Sequence, residues 1–239
     1  YQINLAIAGI AIGTVALPEL SKKIKIGNWR EAHNIQNRSL ELCLLLSVPA
    51  CFGLLIASEQ ITNALFGYGL FLEKDVLLTA EALKYFGYGV PAFALIKVLS
   101  NFFFARDNTR TPFYISFFSV VLNVFISVIY FKKIGFVIIP IATSIATWSA
   151  VLIYVILLIK LKYFNLKKIF FVNMVKILIS SLIMSLGLYY LLSFFENKLI
   201  YANYYKSFYL IMIIALNASA YLLLVRLLGV FKIKNFKTN

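Results

Sequence analysis

The stretch PAFALIKVLSNFFFARDNTRTP, residues 91–112, joins an almost wholly apolar run to an abrupt polar turn. A helix of roughly 20 apolar residues is long enough to cross the hydrocarbon core of a bilayer. One lysine, Lys97, lies within the run, about two and a half helical turns before the first charge of the polar turn. A charge at that depth costs several kcal/mol unless it faces water or a partner. The stretch therefore predicts a membrane-spanning helix whose Lys97 faces a bundle interior or a cavity, where it would attract an anionic group.

The composition of the whole chain indicates a lipid surrounding. Of the 239 residues, 62% are hydrophobic and 13% are charged, and the mean hydropathy is +0.89. Soluble domains carry about 25% charged residues, so this chain has too little polar surface to cover a water-soluble globule. The apolar runs are long and lack the period-two alternation of barrel strands. We therefore predict an all-α integral membrane protein.

The order of apolar runs and basic clusters predicts a topology. We predict seven spanning helices, at residues 2–20, 40–66, 84–105, 113–131, 136–159, 169–195 and 207–228. Most of the 23 lysine and arginine residues fall in alternate links, at 21–39, 106–112, 160–168 and in the C-terminal tail. Because cytoplasmic loops carry the excess of basic residues, these links and the C-terminus are predicted to be cytoplasmic. Charge in such short clusters serves topology and contact with anionic lipids, and we expect no nucleic-acid partner.

This topology places residue 1 on the outer face of the membrane. The chain starts with Tyr1 and has no recognisable signal peptide. We therefore expect an odd number of spans to precede it, and we interpret the chain as the C-terminal part of a larger transporter or channel. The polar link YFNLKK divides it into five spans at 1–159 and two appended spans with a basic tail at 160–239.

Polar residues inside two neighbouring spans indicate either an ion site or helix packing. Asn123 and Ser127 share one helix face, and Thr143 lies on the next span near Pro140. Proline leaves a backbone carbonyl free one turn earlier, and such a carbonyl can bind a cation together with polar side chains. The alternative is that these side chains hydrogen-bond between helices.

The polar turn and the end of the first span carry further candidates for a substrate path. Arg106 and Arg110 form a cationic pair that would meet a phosphate entering from the cytoplasm. Thr111 suits the N-cap of the next helix and Pro112 suits its first turn. Glu19 either lines a cytoplasmic cavity or lies at the membrane interface beside the lysines that follow it.

The chain offers little for metal or enzyme chemistry. Cys43 and Cys51 are separated by about 12 Å along a helix, which is too far for a disulfide. His33 is the single histidine, and no His, Cys and carboxylate residues have metal-ligand spacing. A membrane-embedded enzyme would need paired carboxylates or a histidine near one leaflet, whereas the nine acidic residues lie mostly in predicted loops. We therefore expect no metal, no cofactor and no catalytic residue.

Several stretches, taken together, resemble a known family. They are GIAIGTVALPELS (9–21), VPACFGLL (48–55), LFGYGLF (65–71), VPAFALIKVLSNFFFARDNTRTP (90–112) and the small-residue start of the fifth span. In order and spacing they resemble the MurJ/MviN lipid II flippases of the multidrug/oligosaccharidyl-lipid/polysaccharide exporter superfamily. The resemblance covers the first five spans, while the last two spans match only as hydrophobic helices.

The resemblance implies a fold and a function. Family members have fourteen spans, in two six-helix lobes plus two extra helices, so this chain would supply spans eight to fourteen. They move lipid-linked peptidoglycan precursor from the inner to the outer leaflet of the bacterial inner membrane by alternating access. The drive is the membrane potential or a proton or sodium gradient. The resemblance thus implies a role in cell-wall synthesis and cell shape, a lipid-linked oligosaccharide diphosphate as substrate, and a missing N-terminal lobe as partner.

The resemblance also bears on single residues. Three cations match family positions: Lys97, Arg106 and Arg110. A cation site of the family would be built here from Asn123, Thr143 and the carbonyl of Ile139. Ser127 stands where members often carry an acidic residue, which weakens that site. The arginines most closely tied to flipping lie mainly in the first lobe.

The sequence therefore predicts lipid II translocation with Lys97 in the substrate path. Two other functions stay open. One is export of another lipid-linked oligosaccharide or of drugs by a member of the same superfamily. The other is a non-transporting scaffold in cell-wall synthesis.

Overall fold

A computed structural model of the chain describes Gly9 and residues 12–230, and nearly all of these residues are helical. Within them the α-helices are α1 Ile12–Lys25, α2 Trp29–Phe66, α3 Glu73–Phe104, α4 Arg110–Ile134, α5 Ile138–Lys160, α6 Lys168–Phe194, α7 Glu196–Leu199 and α8 Lys206–Leu227. The 3-10 helix Gly135–Val137 joins α4 to α5. No strand occurs in the described ranges, so the predicted all-α class is confirmed.

The long helices account for most of the predicted spans. Five stretches of the described chain are long and apolar enough to cross a membrane: Trp29–Phe66, Glu73–Phe104, Arg110–Lys160, Lys168–Phe194 and Lys206–Leu227. The third is 51 residues long because it contains both α4 and α5, and it accounts for two predicted spans. α1 covers the end of predicted span 2–20, whose residues before Ile12, apart from Gly9, lie outside the described ranges.

α4 and α5 form a helical hairpin. Asn123 Nδ2 donates a hydrogen bond of 2.8 Å to Thr143 Oγ1, which shows that the two helices lie side by side. Gly135 begins the reversal with φ 77°, a backbone conformation that glycine adopts without the steric cost of a Cβ. The glycine therefore allows two spans to follow each other with only three residues between them.

α2 begins earlier than the predicted span. It starts at Trp29 and not at residue 40, so residues 29–39 of the basic link form the first turns of α2. Asn28 caps this start, because its Oδ1 accepts a hydrogen bond of 3.2 Å from the Glu31 N–H. The cap explains why helix extends beyond the apolar run.

α3 also begins earlier than predicted. The third predicted span begins at residue 84, whereas α3 is continuous from Glu73 into that span. Asp75 Oδ2 accepts a hydrogen bond of 3.0 Å from the Leu72 N–H, which satisfies a backbone donor at the helix start. The acidic first turn therefore begins the spanning helix itself.

The chain divides into two compact units. Unit 1 consists of the described residues up to Cys51 together with Tyr85–Phe170, and unit 2 consists of Phe52–Lys84 together with the described residues from Phe171 onward. Each unit combines segments that are distant in the sequence. The predicted division between residues 159 and 160 therefore stays a prediction.

Small residues set the helix spacing in unit 1. A Cβ added to Gly13 of α1 would lie 2.6 Å from Asn101 Nδ2 of α3. A Cβ added to Gly89 of α3 would lie 2.7 Å from Ser144 Oγ of α5. That hydroxyl also donates to the Tyr85 carbonyl at 2.8 Å. α3 thus approaches α1 and α5 closely, in each case at a glycine.

The turn between α3 and α4 is capped differently from the prediction. Thr109 occupies the N-cap position before Arg110, and its side chain makes no capping hydrogen bond. Instead, Asn108 Oδ1 accepts from the Thr111 N–H at 3.1 Å, and its Nδ2 donates to Thr111 Oγ1 at 3.0 Å. The prediction of Thr111 as N-cap is therefore wrong, because the Asn108 amide satisfies the free N–H. Pro112 lies in the first turn, as predicted.

A buried lysine ties together the loops of unit 2. Lys206 is 1% exposed, and its Nζ donates to the Gly67 carbonyl at 2.5 Å and to the Tyr201 carbonyl at 2.8 Å. The rings of Tyr68 and Tyr201 lie with their centroids 4.2 and 4.6 Å from Nζ, a cation–π arrangement. The same unit has a buried apolar cluster of Ala57, Ala64, Leu188, Leu192, Leu199, Leu210 and Ile213. Lys206 thus joins the first residue of α8 to the loops that follow α2 and precede α8.

Alanine should have opposite effects at two glycines of unit 2. A Cβ at Gly67 would lie 2.6 Å from the backbone oxygen of Asn63, so we expect Gly67→Ala to lower the free energy of unfolding by roughly 1–3 kcal/mol. Gly53 lies inside α2 with open space around it, so Gly53→Ala should leave stability unchanged or raise it by about 0.5–1 kcal/mol. Thermal melting of the purified protein in detergent compares the variants. Equal melting temperatures for the two would contradict this steric account.

Candidate functional site

Unit 1 contains an open cleft of about 640 Å³ bounded by α1, α3, α4 and α5. Its polar lining consists of Thr14, Lys97, Ser100, Asn101, Thr109 and Ser116. Apolar and aromatic side chains complete the walls, among them Leu17, Ile96, Phe104, Phe113 and Tyr154. A largely apolar concavity with a few convergent polar groups is typical of a ligand site.

Lys97 carries the charge of this cleft. Its side chain is exposed and lines the cleft, and the described lining residues include no carboxylate. Asn101 follows one turn later on the same helix face, held close to α1 by the contact at Gly13. The cleft therefore presents one ammonium beside neutral hydrogen-bonding groups, an arrangement that suits an anion with polar substituents. The part of Lys97 in a substrate path stays a prediction.

Arg106 lies outside the lining of the cleft and holds a link in place. Its Nη1 donates to the Phe102 carbonyl at 2.6 Å and its Nη2 to the Tyr163 carbonyl at 2.9 Å. The guanidinium carbon also lies 4.4 Å from the centre of the Tyr163 ring. Burial lowers the pKa of the Arg106 guanidinium, and the electrostatic interaction with Tyr163 opposes that shift. Its donors tie the link after α5 to the end of α3, and its place in a substrate path stays a prediction.

The other two candidates of the substrate path are exposed. Arg110 lines a second depression of about 390 Å³, which shares Thr109 and Phe113 with the cleft. The two concavities are thus neighbours, and Arg110 lies near the cleft without lining it. Glu19 is exposed on α1 and is not among the lining residues that are described. Of the two lysines expected near it, Lys22 and Lys23, the second forms an ion pair with Glu31 of α2.

Three of the four predicted ion-binding residues are linked by hydrogen bonds. Asn123 Nδ2 donates to Thr143 Oγ1 at 2.8 Å, and this hydroxyl donates to the Ile139 carbonyl at 2.7 Å. Ser127 is not linked to them, since its Oγ is buried without a hydrogen-bond partner in the part of the chain that is described. The amide, hydroxyl and carbonyl groups that a cation would need form hydrogen bonds with one another. This favours the alternative, in which they hydrogen-bond between helices. The cation site itself stays a prediction.

Potential metal ligands and thiols lie apart in the part of the chain that the structure describes. Across Gly9 and residues 12–230, no three His, Cys, Asp or Glu side chains are grouped so as to hold a metal ion. Cys43 and Cys51 are free thiols. The absence of a cofactor stays a prediction.

Sequence reasoning did not single out Asn101 or Lys206. Asn101 follows Lys97 by one helical turn, and that spacing was the available signal. For Lys206 the signal was the tyrosine-rich sequence YANYYKSFY at 201–209, because lysine ammonium groups bind aromatic faces. The sequence could not reveal that Tyr68, from a distant loop, supplies one of the two rings.

Comparison with known proteins points to one family. The family profile described as lipid II flippase MurJ matches residues 1–210. A probable lipid II flippase MurJ of Rickettsia prowazekii (strain Madrid E) is 40% identical over 148 residues, which are 62% of this chain and 29% of that protein. The protein of the same description from Rhizobium meliloti (strain 1021) is 41% identical over 155 residues, which are 64% of this chain and 29% of that protein.

A solved structure gives the same result. The structure described as lipid II flippase MurJ in an inward closed conformation matches with a TM-score of 0.75 at 25% identity, over 94% of this chain and 44% of that chain. The chain thus spans less than half the length of the relatives it matches. Since the family profile matches far more than half of the chain, the chain belongs to the lipid II flippase MurJ family.

Proposed function

We propose that this chain takes part in moving lipid-linked peptidoglycan precursor, lipid II, across the bacterial inner membrane by alternating access. The observation that carries the proposal is the family match over residues 1–210, and the polar cleft with Lys97 supports it. The proposed activity is transport and not catalysis. The chain covers only 29% of two curated relatives, so we assign it a portion of the transporter. The resemblance of its spans to the later spans of the family supports the C-terminal portion, with an N-terminal lobe supplying the remaining walls.

The proposed orientation follows from charge. Basic links at 21–39, 106–112 and 160–168 would face the cytoplasm together with the C-terminus, because cytoplasmic loops carry the excess of basic residues. The substrate would then meet Arg110 near the mouth of the cleft before it reaches Lys97, which lies deeper along α3. Both positions favour entry of an anionic head group from the cytoplasmic side.

Lys97 would act by attracting the diphosphate of the substrate. A charge-assisted hydrogen bond to a phosphate oxygen is stronger than a neutral one, and the low dielectric of the surrounding helices strengthens it further. Asn101 and Ser116, which line the same cleft, offer an amide and a hydroxyl to the polar groups beside the phosphates. A single cation, Lys97, would hold the substrate loosely enough for release. Each further ion pair with the diphosphate would slow dissociation of the substrate.

We assign the driving force of substrate transport to the membrane potential. Asn123, Thr143 and the Ile139 carbonyl satisfy one another, and with Ser127 in place of an acid they offer a cation no negative charge. Moving one elementary charge across 100 mV is worth about 2.3 kcal/mol. A substrate with a negatively charged diphosphate would respond directly to that potential, with a proton or sodium gradient as the competing drive.

Removal of the Lys97 charge should impair flipping. We expect Lys97→Ala, in the complete transporter, to lower the flipping rate by roughly tenfold or more, because a hydrogen bond to a charged group is worth about 1.5–3 kcal/mol and 1.4 kcal/mol is a factor of ten. Lys97→Arg should retain most of the rate. The measurement is a lipid II flipping assay, with growth of cells depleted of their own lipid II flippase as the second readout.

Lys84→Ala is the matched control, since Lys84 is an exposed lysine of α3 that does not line the cleft. Flipping at the wild-type rate by Lys97→Ala would refute the role of Lys97. If the unaltered protein did not support growth of cells depleted of their own lipid II flippase, the result would instead point to another lipid-linked substrate.

The polar chain of α4 and α5 gives a test of the coupling ion. We expect Asn123→Ala to lower the free energy of unfolding by about 1 kcal/mol, because it breaks a hydrogen bond between helices. Ser127→Ala should leave it unchanged or raise it, since the Ser127 hydroxyl has no partner among the described residues. Thermal melting in sodium and in potassium at equal ionic strength measures both effects. A sodium-specific rise in melting temperature that Asn123→Ala abolishes would establish a cation site and contradict our assignment.

A further inference from the structure

Unit 2 exposes apolar side chains at the end where α2 stops and α8 begins. Residues 67–72, which connect α2 to α3, form a short loop that we call the apolar loop. Leu70 of this loop is 99% exposed, and Leu65 and Phe66 at the end of α2 are exposed as well. No residue from 60 to 72 is charged. Single exposed apolar side chains are ordinary on soluble proteins, but an uncharged loop with a fully exposed leucine is poorly suited to water.

The connection that precedes α8 exposes aromatic side chains. Residues 200–205 also carry no charge, and Tyr204 and Tyr205 are both exposed. A tyrosine has an apolar ring and a polar hydroxyl, so it is enriched where a membrane meets water. The two connections of unit 2 thus expose hydrocarbon side chains and amphipathic rings, and neither presents a charge.

Hydrogen bonds fasten the apolar loop to the start of α8. Lys206 Nζ donates to the Gly67 carbonyl at 2.5 Å. The hydroxyls of Tyr68 and Ser207 form a hydrogen bond of 2.7 Å. Both contacts involve the first two residues of α8, so the loop lies at the level of that end of the helix.

The length of α8 sets this level in the membrane. α8 has 22 residues, and at 1.5 Å per residue it rises about 33 Å. The hydrocarbon core of a bilayer is about 30 Å thick. A helix of this length crosses the core with little to spare, so its first turn lies at the boundary between acyl chains and head groups. The apolar loop therefore lies at the same boundary.

The backbone of the apolar loop provides an independent observation. The Gly67 carbonyl accepts from Lys206, and the Phe71 carbonyl accepts from the Tyr201 hydroxyl at 2.7 Å. The Tyr68 carbonyl accepts from the Phe71 N–H at 3.2 Å. A loop in water needs no such partners, whereas near hydrocarbon each backbone polar group must be satisfied within the protein. The loop meets this requirement at three of its carbonyls.

A protein partner would also cover apolar side chains, but two observations favour lipid. Protein interfaces have a polar rim around their apolar centre, and the uncharged stretch 60–72 offers little for one. In addition, Phe208 and Ile211 in the first two turns of α8 are exposed. These residues belong to a spanning helix, so lipid already reaches the level at which the loop is attached.

We propose that the apolar loop inserts into one leaflet of the bilayer, which is the outer leaflet in the proposed orientation. Leu70 contacts the acyl chains of phospholipids close to their ester groups. The hydroxyls of Tyr204 and Tyr205 lie among the head groups, where phosphate and ester oxygens accept their hydrogen bonds. The insertion holds unit 2 at a fixed depth in the membrane, and it does not depend on lipid II transport.

The depth of a spin label at residue 70 tests this proposal. The label is attached to Leu70→Cys in a background of Cys43→Ala and Cys51→Ala, because both native cysteines are free thiols. The purified full chain is placed in nanodiscs of phosphatidylcholine and phosphatidylglycerol. Paramagnetic resonance then compares collisions of the label with oxygen, which concentrates in lipid, and with a nickel chelate, which stays in water.

We expect oxygen to reach the Leu70 label more readily than nickel does. The label should lie about 5–10 Å into the boundary between head groups and acyl chains, the depth typical of interfacial segments. A label at Tyr204→Cys should lie closer to water than the label at Leu70. Two exposed positions calibrate the scale: Ile211→Cys of spanning helix α8 for lipid, and Arg30→Cys of the basic link 21–39 for water.

Melting of the unlabelled variants separates a change in depth from a change in folding. Leu70→Cys should melt at the temperature of its background, because the exposed side chain of Leu70 supports little packing. With that control in place, two results would overturn the proposal. Nickel might reach the Leu70 label as readily as the Arg30 label, which would place the loop in water. Alternatively, neither oxygen nor nickel would reach the label, which would show that protein covers the loop.

Discussion

Hydrocarbon offers no hydrogen-bond partner, so each polar group of a spanning helix must find one in the protein or in a water-filled cavity. α3 shows both solutions. Its carbonyls at Tyr85 and Tyr88 accept hydrogen bonds from Ser144 Oγ and Trp148 Nε1 of α5, at 2.8 and 3.0 Å. Lys97, further along the same helix, faces the open cleft. The packing of unit 1 and the position of its cleft both follow from this requirement.

Three cations illustrate how the surroundings of a charge decide what it can do. Lys206 is enclosed by two carbonyls and two rings, so its donors serve the fold of unit 2. Arg106 directs both arms of its guanidinium to carbonyls of its own unit. Lys97 is exposed to a cleft whose described lining has no carboxylate. Of the three, Lys97 is therefore the one placed to meet an anionic ligand.

The sequence predicted the class of fold because hydropathy is a local property of the chain. The runs at 113–131 and 136–159 became α4 and α5 with small changes at their ends. The early starts of α2 and α3 were not predicted, because a helix that continues into water depends on caps such as Asn28 and Asp75. The hydropathy of the sequence does not indicate where such caps form.

The candidate sites were predictable only where the partners are close in sequence. Asn123 and Thr143 lie on adjacent helices, so their proximity could be inferred, although the direction of their hydrogen bond could not. The groups that surround the Lys206 ammonium include the ring of Tyr68, which lies on a loop far from Lys206 in the sequence. A cavity of unit 2 likewise has both Glu59 and Glu196, from distant helices, in its lining. Such sites depend on tertiary packing, which a single sequence does not display.

The three-residue connection between α4 and α5 also has a consequence for how the protein is made. Contacts between segments that are close in the chain form quickly, because little loop entropy is lost. The hairpin can therefore enter the bilayer as a pair, with Asn123 meeting Thr143 as both leave water. Entering one at a time, each helix would carry an unsatisfied polar group into hydrocarbon. The tight turn at Gly135 thus lowers the barrier to membrane insertion during biosynthesis.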